Sequence, residues 1–329
     1  MTSFLHGVET IRVNNSPVPI NVVRTAVIGL VCTAPVHLLD AENQSVNTPQ
    51  PILSDRDGGL FMGPETEGFT GPQALRAIHD QGAGLVVMIN VFDPARHFTN
   101  VPGESVTFVN DVAQLANGQV ISADVENFVE GVDYWLDKAS GKITRIDSGA
   151  IGVDSSVNVD YDFADVSQVN AADIIGGVDG SGSRTGVNAL KDTFALYGYQ
   201  PKIVIAPKWC EDATVAAELI SLAEELRAEA YIDAPIGTSF QDALQGRGPS
   251  GTINFNFSSD AAILSWPQVE VADGNGGTRL EGLSARLAGL RAKVDVEEGY
   301  HVSISNHEIN GVVGLEVPVY ANLTGQGSE

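Results

Sequence analysis

The chain has 329 residues, 43% hydrophobic and 18% charged, enough for two domains that each bury a core. Its 18 Lys and Arg against 42 Asp and Glu give a formal net charge of −24, which speaks against nucleic acid and anionic membranes as partners. No apolar run nears the roughly 20 residues of a membrane span, and Met1-Thr2-Ser3-Phe4 lacks the basic start of a secretion signal, so the cytoplasm is the expected place of synthesis.

In chain order, Val8, Thr10 and Arg12 alternate with Glu9, Ile11 and Val13, the period-2 pattern of a strand. Asn14, Asn15, Ser16, Pro17 and Pro19 break it off at once. A terminal strand ending in prolines either pairs with an edge of its own sheet, which the pattern alone favours, or adds to a neighbour's sheet. The run Ala26-Val27-Ile28-Gly29-Leu30-Val31-Cys32 reads as a strand buried on both faces, as does residues 85–91. Between them, Thr70 as N-cap, Pro72 in the first turn and Gln73 reaching back predict a helix start. Leu75 and Ile78 form its apolar face, and Gly82 and Gly84 end it.

From residue 92 to 168 helical periodicity vanishes. Short alternating segments at 106–109, 142–146 and 157–161 are separated by the turns Asn117-Gly118 and Ser140-Gly141, which predicts a small all-β sandwich. Residues 91–168 hold 13 acids and 4 bases, so this part is expected to face solvent.

Helices and apolar strands then alternate. Val187, Leu190, Phe194 and Tyr197 predict a helix, residues 203–206 a strand, and Val215, Leu219, Leu222 and Leu226 a second helix with Glu211 and Asp212 at its positive N-terminal end. Tyr231-Ile232 and residues 261–264 read as strands, and Leu280, Leu283, Leu287 and Leu290 as another helix. The fold class is therefore α/β, a mostly parallel sheet flanked by helices, with an inserted all-β sandwich-like domain and an extended N-terminal strand arm. The expected boundaries are 1–24 for the arm and linker, 25–91 plus 169–310 for a discontinuous α/β core, 92–168 for the insertion and 311–329 for a C-terminal strand and tail.

Enzyme chemistry is hard to find. The glycine-rich stretch 176–186 opens a helix, but Gly180, Gly182 and Gly186 give G-x-G-x-x-x-G rather than a dinucleotide fingerprint, so a surface turn is the plainer reading. A nucleotide-dependent α/β enzyme using that loop is the alternative, and a carbohydrate- or receptor-binding module at 92–168 is a third. His6, His37, His79, His97, His301 and His307 are scattered, so no metal set is assigned. Cys32 and Cys210 lie in apolar stretches and read as buried reduced thiols. The acidic pairs Glu224-Glu225 and Glu297-Glu298 show no acid/base contrast, and Ser54 and Ser265 lack a nucleophile elbow. No catalytic, cofactor-binding or metal-binding residue is assigned.

Four collinear stretches resemble the tail sheath proteins of contractile bacteriophages and of phage-derived bacteriocins. His6-Gly7-Val8-Glu9-Thr10, then Arg24 to Ala34, is similar to the family's opening "HGV" strand, linker and apolar "IG" strand. Arg184 to Leu190 with Pro201 to Pro207 fits a "TGL…L…P-x-I…P" stretch. Gly299-Tyr300, Ser305-Asn306 and Ile309-Asn310-Gly311-Val312-Val313-Gly314 resemble "G-(W/Y)…S-N…I-x-G-V-x-G". Gly131 to Tyr134 and Gly141 to Thr144 resemble the β-sandwich insertion that many sheath proteins carry.

The resemblance implies a structural, non-enzymatic subunit of the virion, made in the host cytoplasm and stacked helically around a tail tube that the contracting sheath drives through a cell envelope. Neighbouring sheath subunits, tube protein, baseplate and tail terminator are the implied partners. It also implies that Val8, Glu9, Thr10, Ile11, Arg12 and Val13 form an arm that adds to a neighbour's sheet, with Asn14, Asn15, Ser16, Pro17 and Pro19 as its hinge, which reverses the preference drawn from pattern alone. Family members continue past the last motif into a domain that touches the tube. This chain stops at Glu329, so that domain is expected to be absent, whether the chain is a fragment or a shortened relative, and the chain alone to be soluble and largely monomeric.

Overall fold

A computed structural model of the chain describes residues 26–82, 84–246, 259–273 and 276–319. Strand β1 (Val27–Cys32) leads, followed by β2 (Gln50–Ile52), helix α1 (Asp55–Phe61), helix α2 (Gly71–His79) and β3 (Leu85–Asn90). Six strands come next: β4 (Phe98–Thr107), β5 (Val112–Gln114), β6 (Val120–Val125), β7 (Tyr134–Asp137), β8 (Lys142–Arg145) and β9 (Ser156–Ala164). Helix α3 (Ala171–Ile175), a 3-10 stretch (Gly186–Asp192) and α4 (Thr193–Tyr197) lead to β10 (Ile203–Ile205), α5 (Ala213–Leu226), β11 (Glu229–Asp233), α6 (Phe240–Gly246) and β12 (Ala262–Ser265). Strands β13 (Val269–Ala272) and β14 (Thr278–Glu281), helix α7 (Ser284–Glu297) and β15 (Gly314–Leu315) complete the described chain.

The main sheet has six strands in the order β12-β11-β10-β1-β3-β2. β12, β11, β10, β1 and β3 run parallel, and β2 joins antiparallel at one edge. A parallel pair needs a long crossover, and α2 and α5 supply two of them. β1 sits in the middle, with Leu30 opposite Ile205 on one side and Met88 on the other, and all six of its residues are buried. α2 and α7 pack together on one face, while α5 meets α3 and the 3-10 stretch on the other. Ile28, Leu30, Met88, Val204, Leu219 and Ala288 belong to the single apolar cluster between these layers.

Strands β4 to β9 form two three-stranded sheets, β4-β9-β6 and β5-β8-β7, both antiparallel. The inner faces enclose a second apolar cluster that includes Phe108, Val120, Val125, Tyr134, Ile143 and Val159. β9 alternates exposed and buried from Ser156 to Tyr161, as a strand with one wet face should. Buried Asp133 braces a loop by accepting Val129 N–H at 2.8 Å and Ala150 N–H at 2.7 Å.

Three local expectations are corrected. The helix read from Leu280 to Leu290 begins only at Ser284, and Leu280 lies in β14 opposite Glu270. The buried Asp233 carboxylate fixes that start by accepting Ser284 N–H at 2.7 Å and its hydroxyl at 2.5 Å. Thr70 does not cap α2 through its side chain; the hydroxyl accepts Thr33 N–H at 3.2 Å, tying the loop after β1 to the helix start. The helix expected at 187–197 is a 3-10 stretch followed by five α-helical residues, with Phe194 61% exposed. Asn188 there donates to Ile175 O and Glu218, ties to α3 and α5 that hold the chain on the tighter path.

Candidate functional site

The arm residues Val8, Glu9, Thr10, Ile11, Arg12 and Val13 and the hinge residues Asn14, Asn15, Ser16, Pro17 and Pro19 lie outside the described residues. Ala26, the first described residue, borders a cleft of about 300 Å³ with Lys202, Arg227, Arg291 and Tyr300.

The last described stretch is held by a latch built on the motif 309–314. Asn310 O accepts Arg286 Nη1–H at 2.8 Å and Gln81 Nε2–H at 3.1 Å, Asn310 N–H donates to Gln81 Oε1 at 3.0 Å, and its side chain donates to Asp80 O at 3.1 Å. Gly311 follows at φ +76, where a Cβ would stand 2.6 Å from Arg286 Nη1. Gly314 and Leu315 then pair with Glu270 and Val269 of β13, and Glu316 N–H donates to Gln268 O at 3.0 Å. The glycines of the motif are thus positions of close approach and sharp turning.

Arg286 anchors the latch although only 1% of it is exposed. Its guanidinium meets Asp80 and Glu281, each at 3.1 Å. Glu281 also pairs with Arg76 and Arg279, and both of these pair with Glu65. A buried cation needs such partners, because unpaired it would cost several kcal/mol. Asp80, Gln81, Arg286, Glu281, Arg76 and Arg279 form a structural network that sequence reasoning missed; the signal in the sequence was the glycine-bearing motif they hold.

The sites weighed for chemistry resolve into structural roles. In the glycine-rich loop, Asp179 Oδ1 accepts Ser181 N–H and Ser183 N–H, Thr185 Oγ accepts Gly177 N–H, and Val178 bridges Arg184. The loop is closed on itself, and it leads into a 3-10 stretch rather than an α-helix. Ser54 caps α1 by accepting Asp57 N–H, and Ser265 donates to Asp233 at 2.7 Å. Cys32 and Cys210 are free and buried, and burial pushes both thiols up. Asp212 caps α5, whereas Glu211, half-buried before it, is pushed up to about 7, mainly by burial and against the hydrogen bond from Gln268. Among the described residues no group of three or more His, Cys, Asp or Glu could hold a metal ion, and no helix is long and apolar enough to cross a membrane.

Comparison with known proteins supplies the decision. Residues 182–325 match the family described as phage tail sheath protein central domain. Over 331 aligned positions the chain is 48% identical to the tail sheath protein of Burkholderia phage BcepMu, covering 98% of this chain and 68% of that protein. The chain belongs to the phage tail sheath protein family. The sheath protein of Escherichia phage P2 is 25% identical over 330 positions, which span all of this chain and 64% of that one. The contracted helical sheath of the anti-feeding prophage is similar at TM-score 0.47 and 17% identity, over 92% of this sheath chain and 56% of that chain. This sheath protein is accordingly a structural component of a phage tail and not an enzyme; the nucleotide-dependent alternative has no support.

Proposed function

We propose that this chain polymerises into a sheath around a tail tube and that contraction of the sheath drives the tube through the host envelope. The observation that carries the reading is 48% identity to a tail sheath protein along 98% of the chain. Neighbouring copies, the tube protein, the baseplate and the tail terminator are its partners, and it is made in the host cytoplasm before assembly into the virion.

In this reading residues 25–91 and 169–310 form one discontinuous α/β domain, and 92–168 is a β-sandwich inserted into it. Two separate apolar clusters support that division, with Phe92 and Ala164 at its edges belonging to the cluster of the body. The segment from Val8 to Val13 adds a strand to a neighbour's sheet, and Asn14, Asn15, Ser16, Pro17 and Pro19 let it pivot while the body moves. Its period-2 pattern and the proline break support the arm. A high net charge of −24 keeps free copies apart until the arms engage.

Deleting residues 1–19 tests this. Purified protein should keep its far-UV circular dichroism and melting temperature, while particles assembled with it should carry bare tubes in negative-stain images. Sheaths of normal length on the deleted protein would contradict the reading.

A further inference from the structure

The main sheet has a basic cleft at one end and an acidic lobe at the other. Lys202 and Glu229 stand where the parallel strands β10 and β11 begin, and with Arg227, Arg291, Asp295 and Tyr300 they line the cleft of about 300 Å³ beside Ala26. Lys202 Nζ–H donates to Leu226 O at 2.8 Å and to Arg227 O at 3.3 Å, and burial, then the neighbouring Arg227 charge, pull its pKa down. Arg227 is exposed and ends α5 at φ 53, a left-handed position that glycine fills at less cost. Arg291 has Asp295 at 3.4 Å, and Glu229 accepts the Tyr231 hydroxyl at 3.0 Å. Among the described residues, neither Lys202 nor Arg227 pairs with a carboxylate. Within a chain of net charge −24, this is a patch of inverted sign.

The outer face of the β4-β9-β6 sheet is its counterpart. β3 runs parallel with β1 and β10 and ends at Asn90, so the lobe that follows lies toward the far end of the sheet from the cleft. On the lobe, Asp124 of β6 lies directly opposite Asp160 of β9, flanked by Asp162 and Glu126. Like charges placed directly opposite each other destabilise a sheet. No cation offsets them, since β4, β6 and β9 contain no Lys, Arg or His. The carboxylates take neutral donors instead: Asp160 the Gly103 N–H, Asp162 the Asn100 amide and Ser122 hydroxyl, and Glu126 the Asn158 amide.

We propose that the basic cleft docks the acidic outer face of the lobe of a second copy. Charge complementarity selects this occupant. Residues 1–25, 247–258 and 320–329 do not supply the charge, because Glu9 and Glu329 are their acids, against Arg12, Arg24 and Arg247. The two surfaces lie at opposite ends of the main sheet, so the body of one copy meets the lobe of the next. Such a contact is heterologous and repeats along a row of copies. In the sheath proposed above, on which this role rests, it adds a charge-read joint to the one made by the arms. The otherwise uniform negative charge then disfavours every other way of bringing two copies together.

The test uses two whole chains, one carrying Tyr300→Cys on the rim of the cleft and one carrying Asn158→Cys on the acidic face, mixed in equal amounts with a short bis-maleimide. Cys32 and Cys210 are buried and stay out of the reaction. Random pairing makes the mixed dimer as abundant as the two like dimers together, and the same net repulsion acts on all three. At low salt the mixed dimer should exceed that level by about fivefold, and added salt should bring it back. Arg227→Glu in the first chain should remove the excess, and Asp124→Lys in the second should then restore it. The contact is read on free chains, so a failure to form sheath around a tube counts against the sheath reading alone. A mixed dimer at the random level, or an excess that Arg227→Glu leaves unchanged, would overturn the proposal.

Discussion

Gly311 lies against Arg286 with no room for a side chain: a Cβ would stand 2.6 Å from Nη1 and 2.8 Å from Oδ2 of Asp80. Gly311→Ala should therefore cost about 2–3 kcal/mol through strain at positive φ and displacement of the guanidinium. Arg286→Ala should cost about 2–3 kcal/mol, because it empties a buried site and removes the hydrogen bond to Asn310 O, while Glu281 keeps Arg76 and Arg279 as partners. Since both act on one contact, the double variant should lose about 1 kcal/mol or more less than the sum. Urea unfolding of the four proteins reads this cycle, and strict additivity would mean that the contact does not hold the latch.

Glu211 sets a pH dependence of opposite sense to the usual surface carboxylate. Its pKa is raised from 4.5 to about 7, so the folded state retains a proton that the unfolded chain gives up. The group's contribution is most favourable below pH 4.5, declines as pH rises toward 7 and is flat above. Glu211→Gln, which can still accept from Gln268, should flatten that decline and stabilise the protein at pH 8 relative to pH 4.5. Partial exposure limits the effect to on the order of 1 kcal/mol. Melting temperatures of both proteins at pH 4.5, 6 and 8 measure it.

The glycine-rich loop is a closed turn, which separates its glycines by cost. At Gly176, φ is +65 and a Cβ would fall 2.0 Å from Thr185 O, so Gly176→Ala should cost more than about 2 kcal/mol. Around Gly180 nothing lies within 4 Å, and Gly180→Ala should change stability by less than about 0.5 kcal/mol. No nucleotide should shift the melting temperature of the native chain; a shift equivalent to about 2.7 kcal/mol at 100 times the dissociation constant would revive a ligand role for the loop.

What could be read from sequence depended on the range of the interactions. β1 and β3 are legible because every position but one is buried, and continuous apolar runs report that directly. α5 is legible because its buried positions Val215, Leu219, Leu222 and Leu226 keep helical spacing and Asp212 caps it locally. The start of α7 is not, since Asp233, 51 residues upstream, decides it while leucine spacing runs on through β14. The latch is half legible. Its glycines show in the motif, but Asp80 and Arg286 are 206 residues apart, and no local pattern announces an ion pair of that kind.

The central claim, that copies of this chain are joined into a sheath by their N-terminal arms, is tested most directly by a cryo-EM reconstruction of sheath assembled from it around a tube. Val8 to Val13 of each copy should be resolved as a strand hydrogen-bonded to the sheet of a neighbouring copy. Arms folded back onto the sheet of their own subunit, in an otherwise ordered sheath, would contradict it.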